Sequence, residues 1–167
     1  KGMTNKPKLL LLTILGLITL IACTDKKNEI EFIKLQIEHS RRIPDATVII
    51  EITKKDNEIM VHYISTPKED SQDWKQTKRD TTFLIEKKIF KEISRALINL
   101  KKSDFSKAEI HGKDGIECSL KFGTVNNTID YSFWSPDIET ENRGLTEYLK
   151  VCKQLIETVN LKPDYIL

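Results

Sequence analysis

Glycine, histidine and cysteine are scarce in this chain, and their scarcity narrows the chemistry. Only 6 of 167 residues are Gly, and no Gly-rich loop of the kind that cradles nucleotide phosphates is found. There is no Gly-x-Ser-x-Gly elbow and no His-Glu-x-x-His helix. The local marks of a hydrolase nucleophile and of a zinc protease are therefore missing. The histidines are His39, His62 and His111, on three separate segments without paired ligand spacing, so no metal is expected at them. Asp104, Glu109, Asp114 and Glu117 crowd one stretch. Their spacing is not that of a calcium loop, and a solvated turn accounts for them. No cofactor is expected.

A surplus of one charge is also lacking. The chain has 27 Lys and Arg against 25 Asp and Glu, and three of the Lys but none of the acids lie in residues 1–22. The remainder is close to neutral. A nucleic-acid partner is thereby disfavoured, because a phosphate-binding face needs clustered surplus cations.

Long apolar runs are limited to one. Leu9 to Ala22 carries no charge and follows Lys6 and Lys8, near Met3. As a helix it would be about 21 Å long, short of the ~30 Å hydrocarbon core. A basic start, a short apolar middle and a small residue at the end are the proportions of a secretory signal. The run closes on Leu20-Ile21-Ala22-Cys23. This tetrapeptide resembles the lipobox of bacterial lipoproteins, with an aliphatic first position, a small third position and an obligatory Cys.

The resemblance covers residues 3–23. It implies a diacylglyceryl group on the Cys23 thiol, cleavage between Ala22 and Cys23 by a type II signal peptidase, and acylation of the new amine. Residues 1–22 would then be the signal peptide, 23–28 the lipidated Cys and a polar tether, and 29–167 a single domain. The tether reaches at most about 18 Å, holding the domain near a bilayer to which two or more acyl chains bind it firmly. The expected location is the bacterial cell envelope. Thr24, which stands where an Asp would signal inner-membrane retention in some bacteria, favours the outer membrane.

With Cys23 assigned to lipid, Cys118 and Cys152 remain. Ile116, Cys118, Leu120 and Phe122 alternate along one strand face. Leu145, Leu149, Cys152, Ile156 and Val159 form one helical stripe. The two thiols either pair as a strand–helix disulfide or stay separate in the core. Pairing needs Cα atoms within ~7 Å, which leaves both readings open.

The domain reads as α+β. Ile33, Leu35 and Ile37 alternate with polar residues, Thr47 to Thr53 is β-branched, and Glu58 to Ser65 returns after Lys54-Lys55-Asp56-Asn57. Arg42-Ile43-Pro44-Asp45 reads as a turn and Pro67 to Lys78 as a loop containing Trp74. Asp80 to Ile85 reads as a further strand. Glu86 to Leu100 is a helix with Ile89, Ile93, Ala96, Leu97 and Leu100 on one face. Strands follow over Ile116 to Phe122 and Thr128 to Trp134. A second helix spans Glu141 to Val159, regular from about Leu145, and Pro163 stops it. The expected fold is an antiparallel sheet with two amphipathic helices on one face, in ββ(β)α–ββα order.

The best binding candidate is Tyr131-Ser132-Phe133-Trp134-Ser135-Pro136. Alternation places Tyr131 and Phe133 on one face and Trp134 on the other. Trp134 then either faces water or a partner, or covers the sheet edge or packs under the loop carrying Trp74. The expected contact surface is the open sheet face near Trp134, Val61 and Tyr63. The stretch Phe133-Trp134-Ser135-Pro136-Asp137 also resembles uncharacterised small envelope lipoproteins, a likeness that transfers no active residues. The expected function is a lipid-anchored, non-catalytic module that binds a protein or an envelope component; an immunity-type lipoprotein is one version. The alternative is a small envelope hydrolase with a site assembled from separate strands.

Overall fold

A computed structural model describes residues 30–41, 45–68 and 78–167. The expected signal peptide over residues 1–22, Ala22, Cys23, the expected tether, the Arg42 to Pro44 part of the first turn and Trp74 lie outside the described residues. Four strands come first: β1 (Phe32–His39), β2 (Thr47–Lys55), β3 (Glu58–Thr66) and β4 (Arg79–Leu84). Then follow α1 (Lys87–Leu100), β5 (Ile116–Thr124), β6 (Asn127–Trp134), α2 (Thr146–Thr158) and the single-turn α3 (Pro163–Ile166). The fold is α+β, as expected, and the four strands read over Ile33 to Ile37, Thr47 to Thr53, Glu58 to Ser65 and Asp80 to Ile85 all precede the first helix, one more than the condensed ββ(β)α order counts.

All six strands join one sheet in the order β4-β3-β2-β1-β5-β6, and every neighbouring pair is antiparallel. The first strand thus sits inside the sheet and ties the two runs of strands together. The turn between β2 and β3 sets much of the register. Asp56 takes a left-handed conformation (φ 53°), which Asp tolerates better than most residues. Lys55 then pairs with Glu58, Ile52 with Val61 and Ile50 with Tyr63.

Inward rows run across the strands: Ile37 is flanked by Val48 and Cys118, Leu35 by Ile50 and Leu120, Ile33 by Ile52 and Phe122. All of these are buried. The two main helices pack on each other and on this face, forming one core with it. In α1 the buried residues are Phe90, Ile93, Leu97 and Leu100. Ile89 was expected in that stripe but is 37% exposed; the helix is rotated so that Phe90 faces the sheet. In α2 the buried set is Tyr148, Val151, Cys152, Leu155 and Ile156, with Leu149 only half-buried. The second helix ends at Thr158, before Pro163 is reached, with Asn160 left-handed (φ 58°) just beyond it; Pro163 instead opens α3, at the position where its missing N–H costs nothing. Among the described residues, no helix is long and apolar enough to cross a membrane.

Candidate functional site

Trp134 ends β6 on the face away from the helices, while Tyr131 and Phe133 turn toward them. The inward aromatics build a cluster. Phe105 lies 5.0 Å from Tyr131 and 5.1 Å from Phe133, and Phe133 meets Tyr148 edge-on at 4.8 Å. Tyr148 is fully buried, and its hydroxyl donates to the Cys118 carbonyl at 2.6 Å. Burial pushes its pKa well up, so it stays a neutral donor that ties α2 to β5.

Trp134 itself is half-buried, because the segment before β5 lies against its indole. A Cβ on Gly112 would sit 2.1 Å from that ring, and one on Gly115 would sit 2.5 Å away. Only glycine allows this approach. Trp134 packs under a loop other than the expected one, whose Trp74 lies outside the described residues. The loop is the one holding Gly112 and Gly115. Beside the indole lies a recess of about 280 Å³, lined by Phe105, Ile110, Glu109, His111, Glu117 and Ser132 among others. Ser132 Oγ donates to Glu117, and His111 Nε2 lies 3.3 Å from Glu109. The recess has an aromatic wall and an acidic rim, on an edge strand of the sheet.

The frame of this recess is one buried arginine that nothing in the sequence singled out. Arg143 is 3% exposed and spends all five N–H donors on backbone carbonyls. Its Nε and Nη2 donate to Ala108 at 3.0 and 2.8 Å, and Nη2 also donates to Trp134 at 2.8 Å. Nη1 donates to Ser135 at 2.7 Å and to Ile138 at 2.9 Å. The guanidinium thereby clamps the Trp134 turn to the segment that carries Ala108. Burial lowers its pKa, because desolvation disfavours the charged form. Ser135 holds a positive φ of 37° in the same turn, and its backbone N–H donates to Ile116 at 2.7 Å.

Val61 and Tyr63 do not belong to this surface, which corrects the expectation. Val61 is fully buried and Tyr63 nearly so. Their register opposite Ile52 and Ile50 sends them inward, and Met60, His62 and Ile64 take the outward positions of β3. Tyr63 instead helps form a polar corner at one end of the inward face. There Asp45, also buried, accepts hydrogen bonds from Ser65 Oγ and Arg79 Nη2. The Arg79 guanidinium lies 5.9 Å from the centre of the Tyr63 ring. Burial raises the Tyr63 pKa, offset in part by Ser65 and Arg79.

The structure brings Cys118 and Cys152 together, with their Sγ atoms 3.7 Å apart and unbonded. The three histidines stay apart. His39 Nε2 lies 2.6 Å from the Ile166 carbonyl, and His62 sits between Asp80 and Glu51 on the outward face. Among the described residues, no three His, Cys, Asp or Glu converge as metal ligands.

Because the indole fills the space that a side chain at 115 would need, Gly115→Ala should expel it. On a Trp74→Phe background, Trp134 emission should shift to the red, with a stability loss of about 1–3 kcal/mol. Unchanged emission would show that the loop is not the cover described. Comparison with protein-family models gives no match, and comparison with curated proteins gives none either.

Proposed function

We propose that this chain is a bacterial lipoprotein, held at the cell envelope through lipid on Cys23, whose domain binds a partner protein without catalysing a reaction. The anchor is supported by Leu20-Ile21-Ala22-Cys23 at the end of the short apolar run. Binding is supported by one observation above the rest: the helices cover one face of the sheet, and the outward face meets the edge strand β6 at the Trp134 recess. An edge strand offers unpaired backbone groups to an extended segment. The aromatic wall supplies an anchor of the kind that dominates interface energetics. Glu109 and Glu117, both exposed, favour a segment carrying Lys or Arg.

The test is cross-linking and pull-down from envelope membranes with the intact lipoprotein. Trp134→Ala should lower partner recovery at least tenfold, since a central Trp typically costs 2 kcal/mol or more when truncated. Glu117→Lys, at an exposed position, should weaken recovery while leaving the fold intact. The same partners at the same yield in both variants would defeat this contact surface.

A further inference from the structure

Cys118 sits on the inward face of β5 and Cys152 on the buried side of α2, 34 residues apart in sequence. Both are completely buried. Their sulfurs meet across the interface between helix and sheet, in direct contact at 3.7 Å. A bonded pair needs ~2.05 Å, so closure asks for an approach of about 1.7 Å.

We propose that Cys118 and Cys152 close as a disulfide that fastens α2 to β5. The step is a two-electron oxidation. Two S–H bonds are lost, one S–S bond forms and two protons leave. The electrons reduce the disulfide of an oxidised dithiol protein, or of oxidised glutathione, to two thiols. One thiolate attacks that disulfide, and the second then displaces the carrier from the mixed disulfide.

In the folded domain neither sulfur can be reached, and burial pushes the Cys152 thiol well up, away from the reactive thiolate. The bond therefore forms while the chain is still open, before α2 docks. Once inside the core, the same burial shields it from reductants. The oxidising compartment rests on the envelope reading above; the pairing geometry does not.

The experiment uses the full chain purified in detergent from its own membranes. It is unfolded with iodoacetamide and no reductant, digested, and weighed by mass spectrometry. The expected result is a linked peptide pair carrying Cys118 and Cys152, lighter by two hydrogens and unalkylated. Reduction should lower Tm by about 10 °C, the effect of a loop of this length in a domain of this size. Cys118→Ser and Cys152→Ser should each lose the response to reductant. Two alkylated thiols in protein whose Cys23 carries lipid would overturn the proposal. If Cys23 is bare and residues 1–22 remain, the envelope reading fails instead. Refolding the same protein with oxidised glutathione then decides the pairing: a linked peptide supports it, and two free thiols overturn it.

Discussion

Replacing Arg143 with Leu should cost about 3–5 kcal/mol of folding stability, read as a lower midpoint in urea for the detergent-solubilised full chain. The size follows from what is left behind. Three carbonyls, of Ala108, Trp134 and Ile138, lose the guanidinium donors together, and Ser135 keeps only the Ile138 N–H at 3.1 Å. Each unsatisfied buried acceptor costs roughly 1–3 kcal/mol, less wherever water enters. Small domains have about 5–15 kcal/mol in all, so the change removes a large share. Arg143→Lys should recover only part of the loss. A single ammonium offers three donors from one point, whereas the guanidinium fork reaches separate carbonyls at fixed angles. Trp134 emission should shift to the red in both variants, because the clamp holds the indole's own backbone. A loss below about 1 kcal/mol in Arg143→Leu would mean that the turn is held by other contacts.

Strand and helix positions were legible because the relevant signals are local. Alternation marked Ile33 to Ile37, the turn residues Asp56-Asn57 marked the hairpin, and the apolar stripe marked α2. The error at Val61 and Tyr63 was one of parity, where a shift by one residue exchanges the two faces of a strand. The information to avoid it was present. A two-residue turn pairs Lys55 with Glu58, and counting inward puts Val61 opposite Ile52 and Tyr63 opposite Ile50. Sheet order was not legible. That β1 lies between β2 and β5 depends on which edges meet after α1 crosses the sheet, and no short-range pattern encodes it.

The Trp134 site was half legible for a similar reason. Alternation placed the indole on the outward face. The cover from Gly112 and Gly115 depends on a loop that returns from α1. Arg143 left no trace because an arginine beside a glycine in a polar stretch usually points to solvent. Its burial follows from four carbonyls that converge only in three dimensions. Tyr148 could have been found, since it lies on the same helical face as Leu145, Cys152 and Leu155.

Cys23→Ser should change where the whole protein resides, an effect larger than any change in the domain. On the lipoprotein reading, the wild-type chain lacks residues 1–22 and carries acyl chains on residue 23. The Ser variant has no thiol to accept the lipid, so it should keep residues 1–22 and show the mass of an unmodified chain. Extraction should differ as well. Each buried CH₂ contributes ~0.8 kcal/mol, so several long acyl chains resist alkaline carbonate. An apolar run of about 21 Å is too short to span the bilayer, and the variant should be released by that treatment. Cys118→Ser, which leaves residue 23 intact, should be processed, acylated and extracted as wild type although it loses the response to reductant, and so rule out a general effect of losing a cysteine on anchoring. Anchoring also bears on binding. A tethered domain and a partner in the same membrane meet at high effective concentration, and losing the tether can lower apparent affinity by 10²–10⁴. Partner recovery should therefore fall in Cys23→Ser even though the Trp134 recess is unaltered. Equal recovery from released and anchored protein would mean that the recess binds tightly without help from the membrane, and the tether would then serve location alone.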